Sequence, residues 1–185
     1  MAARRQQILA TAADLFAARG FHGVSVAEIG AAVGISGPAL YKHFDSKPAM
    51  LAEMLVSISE ELLNVGRARV AAASGDPAAA LRGLVDWHVE FALENRALIV
   101  VQDRDWESLP AAARDRVRDL QREYVDLWAA QVLSLRPTLD APAAHAAAQA
   151  VFGLLNSTPR AGGSISDAEL RELLVPMALA ALGVD

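Results

Sequence analysis

The sequence predicts an all-α protein, and three observations lead to that prediction. Hydrophobic residues make up 54% of the 185 residues whereas aromatic residues make up only 5%, a balance that suits close-packed helices better than sheets. Apolar residues recur every three or four positions along most of the chain. Gly, Pro and N-capping residues divide these stretches into segments of helical length. We expect about nine helices, three in a small N-terminal domain and the others in a larger one.

The first helix is predicted over residues 4–19. Ser25 and Glu28 then have the spacing of a capping box, in which each side chain binds the backbone amide of the other residue. The second helix starts at this box and ends at Gly34, because glycine readily adopts the left-handed conformation that ends a helix.

A third helix is predicted over residues 36–42. Ser36 provides its N-cap, and Pro38 lies in the first turn, where a missing amide costs nothing. Two helices joined by so short a turn form a helix-turn-helix, whose second helix can enter the major groove of DNA.

The residues of this segment resemble those of the TetR-type transcriptional repressors, over roughly residues 4–55. The matching positions are Ser25, Ile29, Gly34, Ile35, Ser36, Leu40, Tyr41, His43, Phe44, Ser46 and Lys47. The resemblance implies an N-terminal DNA-binding domain over residues 1–47 and an effector-binding and dimerisation domain over residues 48–185. The predicted DNA-binding residues are Ser25, Ser36, Gly37, Pro38, Ala39, Tyr41, Lys42, His43 and Lys47.

Within that set, we expect Tyr41 and Lys47 to bind phosphates and Lys42 to be the main polar group that reads bases. The family often has a polar residue or a Lys-Gly pair where this sequence has Gly37 and Pro38, so few side chains remain for base recognition. An isolated helix-turn-helix pattern could instead be a packing corner, with Tyr41 a core ring and Lys47 a solvated charge. The continuation from Tyr41 to Lys47 favours the DNA-binding interpretation.

Charge is distributed unevenly along the chain. The net charge is -5, but residues 1–50 carry five basic and three acidic side chains, a net +2, which leaves -7 for the remainder. A small basic segment on an acidic body is typical of a protein in which only one part contacts phosphate.

The remaining helices follow from the same signals. A long helix over residues 46–73 would connect the two domains, and Pro176 should kink the last helix. The others are predicted over residues 77–94, 96–106, 110–135, 143–156 and 166–182.

Large rings in the otherwise alanine-rich body predict a pocket for a small, largely apolar effector. They are Trp87, His88, Phe91, Trp106, Tyr124 and Trp128. The alternative is that these rings only fill the core. The resemblance favours the pocket, because TetR-type proteins bind effectors in this region.

A row of arginines on one helix, Arg114, Arg118 and Arg122, could hold the phosphates of a fatty acyl-CoA. The alternative is a solvated face, because Asp115 and Asp119 have the spacing of surface ion pairs.

The last two helices combine small residues with large apolar ones, which suits close helix packing. In the resembled family these helices form a four-helix homodimer interface, and a symmetric dimer would read a palindromic operator. The predicted interface residues are Ala147, Val151, Leu155, Leu170, Leu173, Leu174 and Met177. The alternative is packing within one chain.

Several classes of protein are disfavoured. The sequence has no cysteine, no nucleophile elbow, no P-loop and no paired metal-binding histidines, so we expect neither an enzyme nor a metal or other cofactor. No apolar run is long enough to span a membrane, and we expect a cytoplasmic protein. A ligand-responsive repressor is the favoured function, and a helical carrier or interaction protein is the alternative.

Overall fold

The computed structural model describes residues 2–161 and 165–184, and the regular secondary structure within them consists of helices alone. The predicted all-α class with an N-terminal helix-turn-helix is confirmed. Two 3-10 turns, Trp106–Ser108 and Thr158–Arg160, accompany the α-helices. The α-helices are α1 (Ala2–Arg19), α2 (Val26–Ala32), α3 (Gly37–Leu40), α4 (Lys47–Ala72), α5 (Pro77–Glu94), α6 (Arg96–Asp105), α7 (Ala111–Leu135), α8 (Ala141–Leu155) and α9 (Asp167–Leu182).

Side-chain caps explain where several of these helices begin. Asp76 accepts hydrogen bonds from the amides of the first turn of α5, and Ser166 and Glu169 form a capping box at α9. Asp140 caps α8 by accepting from the Ala143 amide at 2.9 Å, so this helix begins two residues earlier than predicted. Helix α3 ends at Leu40, because residues 41–43 form turns, and is shorter than the predicted segment 36–42.

The chain forms two compact units. The first contains residues 1–58 and 97–117, and the second contains residues 59–96 and 118–185. The first unit therefore extends beyond the predicted segment 1–47, since it includes the start of α4 and nearly all of α6. Helices α4 and α7 each have residues in both units.

Helices α1, α2, α3 and α4 contribute residues to the core of the first unit, and so does the segment that follows α5. Ile8, Phe16 and Ile29 are fully buried in it, together with Val101 and Val117 from the later segment. Trp106 packs against the same core.

In the second unit, α5, α8 and α9 pack on one another. Arg96 pairs with Asp167 at 2.8 Å, and Arg171 pairs with Asp86 at 2.7 Å. These two ion pairs attach the start of α9 to the region of α5. The helix continues past Pro176 to Leu182.

Within the described residues, none of the helices has both the length and the apolar character that a membrane span requires.

Candidate DNA-binding and ligand-binding sites

The helix-turn-helix is built by local hydrogen bonds. Ser25 Oγ accepts from the Glu28 amide at 3.2 Å, and Glu28 accepts from the Ser25 amide at 2.7 Å. These bonds from Ser25, with a further one from Arg19, lower the pKa of the Glu28 carboxyl to about 2. Gly34 has a φ of +72°, a conformation that glycine adopts without strain, and it ends α2. The capping box and the glycine stop are thus as predicted.

The start of α3 presents the predicted reading residues. Ser36 Oγ accepts from the Ala39 amide at 3.3 Å, and Tyr41 is 55% exposed. A tyrosine with this exposure is not a core ring. Ser25, Ser36, Pro38, Tyr41 and Lys42 are exposed, whereas Gly37, Ala39, His43 and Lys47 are partly buried.

Lys47 has partners within the protein. Its ammonium group donates to the carbonyl oxygens of Phe21 and Val24, both at 2.8 Å, and lies 4.3 Å from the centre of the Phe21 ring. These bonds hold the connection between α1 and α2. They support a structural role beside the predicted phosphate contact.

We expect Lys47→Ala to lower the free energy of unfolding by about 1–2 kcal/mol, because two carbonyl groups lose their donor. Lys42→Ala is the matched control, since Lys42 is exposed on the same unit. It should leave the unfolding free energy unchanged and cost about 1–3 kcal/mol of binding at one base position. Urea unfolding and DNA titration measure the two effects, and an unchanged unfolding free energy for Lys47→Ala would assign Lys47 to DNA alone.

Arg4 and Arg5 also hold the first unit together. Arg4 donates to the Val33 carbonyl at 2.5 Å, at the end of α2. Arg5 forms a two-pronged ion pair with Glu53 of α4 and donates to the His43 carbonyl. Of the five basic residues that the sequence places in residues 1–50, Arg4, Arg5, Arg19 and Lys47 therefore have internal acceptors.

Helix α6 is attached to the end of α1. Arg104 donates to the carbonyls of Phe16 and Ala17, and the buried Asp105 accepts from the Phe21 amide at 3.2 Å. The sequence gives no local signal for this attachment. Arg104 and Asp105 bind backbone groups at or just after the end of α1, and backbone groups are the same at every residue.

The second unit contains a cluster of five rings. His88, Tyr124, Trp128 and Phe152 contact one another and Phe91 contacts His88, with ring centres 4.9 to 6.0 Å apart. The Phe152 ring is nearly parallel to that of Tyr124, at 11°. We call these five residues the ring cluster.

A chain of polar groups runs through the ring cluster. His88 Nε2 lies 3.0 Å from Asn156 Oδ1, and His88 Nδ1 lies 3.4 Å from the Tyr124 hydroxyl. Because Asn156 Oδ1 accepts, His88 Nε2 carries the proton and Nδ1 can accept from Tyr124. Burial lowers the pKa of His88 to about 4, although the bond to Asn156 opposes the shift, so the imidazole is neutral at physiological pH.

Trp128 completes this arrangement. Burial raises the pKa of the Tyr124 hydroxyl, and the neighbouring Trp128 indole N–H opposes that rise. The indole N–H nevertheless lacks a hydrogen bond of normal geometry to any described residue.

Comparison with protein families identifies both parts of the chain. Residues 8–54 match the family described as bacterial regulatory proteins, tetR family, and residues 74–182 match the tetracyclin repressor-like C-terminal domain. The second match alone covers more than half of the chain. The protein belongs to the TetR family.

The similar proteins agree with this assignment. The transcriptional repressor KstR2 of Rhodococcus jostii is 35% identical over 127 residues, which are 68% of this chain and 61% of KstR2. The chain thus spans about three fifths of that relative's length.

Solved structures of TetR-family proteins share the fold. A regulator from Bordetella parapertussis is 32% identical, with a TM-score of 0.82 over 95% of this chain and 93% of the other. AibR, solved with isovaleryl coenzyme A and operator DNA, is 20% identical, with a TM-score of 0.71 over 94% of this chain and 97% of AibR.

In this TetR-family protein, the six predicted pocket residues do not form one group. His88, Phe91, Tyr124 and Trp128 belong to the ring cluster. Trp106 lies in the first unit, and the Trp87 indole N–H donates to the Leu62 carbonyl at 3.4 Å. The sequence interpretation missed Phe152 and Asn156. They lie four residues apart at the end of α8, and this spacing, which places both on one side of the helix, could have identified them in the sequence.

The predicted dimer residues separate into two sets. Leu173 and Met177 are 52% and 47% exposed, and Ala147 is partly buried. The other four, which are buried inside the single chain, are Val151, Leu155, Leu170 and Leu174. Burial within the single chain leaves these four little surface for a partner, so the proposed interface depends on Leu173, Met177 and Ala147.

The arginine row is engaged in surface ion pairs. Arg114 pairs with Glu107 at 2.6 Å, and Arg122 pairs with Asp119 at 2.8 Å. Arg114 lies in the first unit, whereas Arg118 and Arg122 lie in the second. These pairs support the solvated-face alternative over the phosphate site.

Proposed function

We propose that this TetR-family protein is a ligand-responsive repressor, which binds a palindromic operator as a homodimer and is released by a small, largely apolar effector. The observation that carries the proposal is the capped helix-turn-helix with Tyr41 and Lys42 exposed beside α3. Repression would follow from occupancy of the operator. The similarity of this protein to KstR2, a repressor, supports repression as the direction of regulation.

An exposed apolar face supports the homodimer. Leu173 and Met177 lie four residues apart on α9, so they fall on one side of the helix. On α8, which packs on α9, Gly153 has open space in front of it. A second copy of the same surface would cover these groups and place two reading helices on half-sites roughly 34 Å apart.

The ring cluster supports the effector site. It is the group of large side chains in the second unit that combines apolar surface with a few polar atoms, as ligand sites do. The effector would bind there and displace one or more rings.

Helix α4 would transmit this displacement. Gly66 of α4 lies so close to the ring cluster that a Cβ atom there would be 2.7 Å from Tyr124 Cε2. Movement of the Tyr124 ring would therefore press directly on α4, which also extends into the first unit. A shift of α4 would change the separation of the two reading helices in the dimer. Coupling of this kind is reciprocal, so operator DNA would weaken effector binding equally.

A fatty acyl-CoA is one candidate effector, since AibR carries an acyl-CoA on the same fold. The ion pairs of Arg114 and Arg122 would then have to open to bind its phosphates. An operator-independent carrier is the second candidate function, and the ring cluster alone would suit it.

Selection of bound DNA from a random pool tests the proposal. We expect enrichment of a palindrome, and we expect an apolar effector to release the protein from it. Recovery of DNA without sequence preference at physiological salt would instead favour the carrier.

A further inference from the structure

The indole N–H of Trp128 is a buried hydrogen-bond donor without an acceptor of good geometry among the described residues. The side chain is 0% exposed, so bulk water does not reach this group. Such a donor is destabilising, and an unsatisfied buried group in a native structure calls for an explanation. A ligand that supplies the missing acceptor would explain this group.

The neighbouring polar groups bind one another. Asn156 accepts from His88, and His88 in turn can accept from Tyr124. The Tyr124 hydroxyl oxygen lies near the Trp128 indole, but the indole N–H makes no hydrogen bond of normal geometry with it and still needs an acceptor.

The charge of this region restricts the acceptor. Among the described residues of the second unit, the buried polar side chains are Ser59, His88 and Thr158. None is cationic at neutral pH, so a carboxylate beside Trp128 would be buried without a counter-charge, which is strongly unfavourable. A carbonyl oxygen that carries no charge avoids this cost.

We propose that Trp128 recognises an uncharged carbonyl oxygen of the effector, which is therefore a ketone, an ester or a thioester. This inference rests on the proposed effector site and specifies its chemistry. Phe152 is the ring that must move to admit the ligand, because it is only partly buried and stacks on His88 and Tyr124.

Two series of probes test the proposal, each with one hydrocarbon shape and three head groups. The planar series is 2-acetylnaphthalene, 2-naphthoate and 2-ethylnaphthalene, and the chain series is 2-undecanone, undecanoate and undecane. In at least one series, we expect the ketone to bind about tenfold more tightly than both the carboxylate and the hydrocarbon.

Trp128→Phe removes the N–H and keeps an aromatic ring, so it should abolish the preference for the ketone. Trp87→Phe is the matched control, because the Trp87 N–H already donates to the Leu62 carbonyl. It should preserve the preference.

A measurement on the unaltered protein guards against a folding defect in Trp128→Phe. In ¹⁵N-labelled protein, the indole N–H signal of Trp128 should move downfield when the ketone binds, as a new hydrogen bond requires. Trp87 and Trp106 are the other two tryptophans of the chain, and their indole N–H signals serve as references.

Tighter binding of the carboxylate, an unmoved Trp128 signal with bound ketone, or no binding by either ketone would overturn the proposal. A ketone that binds through Trp128 but leaves the operator complex intact would support this recognition and refute the proposed repressor mechanism.

Discussion

Leu173→Glu should convert the proposed dimer to a monomer and lower its affinity for the proposed palindromic operator by about 100-fold or more. Leu173 is 52% exposed in the single chain, so the substitution removes little from the core. In the proposed dimer, however, it would bury a carboxylate against an apolar surface, at a cost of several kcal/mol. Sedimentation velocity and operator titration measure the two effects.

Ala130→Glu is the control for charge, since Ala130 is an exposed residue of the same unit but belongs to α7 instead of α8 or α9. It should remain dimeric. If Leu173→Glu sediments as a dimer at micromolar concentration, this face of α9 is not the interface.

The stability of the protein should fall by about 3 kcal/mol as the pH decreases from 6.5 to 4, because of His88. The pKa of the buried imidazole is about 4 in the folded protein and 6.5 in the unfolded chain. Below pH 6.5 the unfolded chain therefore binds the proton and is favoured. The contribution of neutral His88 is complete above pH 6.5 and is lost as the pH falls towards 4.

Urea unfolding at pH 7.0 and at pH 4.8 measures most of this effect. Between these two pH values most carboxyl groups stay ionised, and the stability that comes from the lowered pKa values of Glu28, Asp167 and Glu169 is lost mainly below pH 4.5. His88→Gln should flatten the dependence, whereas His145→Gln, on a partly exposed residue, should retain it. An equally steep dependence in His88→Gln would show that another group titrates.

Local signals in the sequence predicted the helix-turn-helix well. Ser25, Glu28 and Gly34 act on backbone groups within four residues of themselves, so their roles could be inferred without the fold. The roles of Arg5 and Lys47 could not, because their acceptors lie 23 to 48 residues away in sequence and meet them only after folding.

Only part of the ring cluster could be predicted, because its members are distant in sequence and meet only after folding. Helical spacing indicated that Tyr124 and Trp128 share a face, but not that Trp106 belongs to a different unit. Phe152 could not be predicted as a member, because spacing alone does not distinguish the inward face of α8 from its outward face.

Helix α9 illustrates the same limit. Leu170 and Leu174 face inward and Leu173 and Met177 face outward, so this helix has two apolar faces. The spacing of apolar residues assigned both faces to one predicted interface. The inward face is distinguished from the outward face only by its packing against α5 and α8.

The internal bonds of Arg4, Arg5 and Lys47 bear on how such a regulator would find its operator on a chromosome. Cations that are already bound to carbonyls and carboxylates displace few counterions from random DNA, so weak, sequence-independent binding is reduced. A repressor of this kind would spend less time sliding on the wrong sequences. Occupancy of its operator would then depend more on contacts made at that site, and fewer copies of the protein would be lost to the rest of the genome.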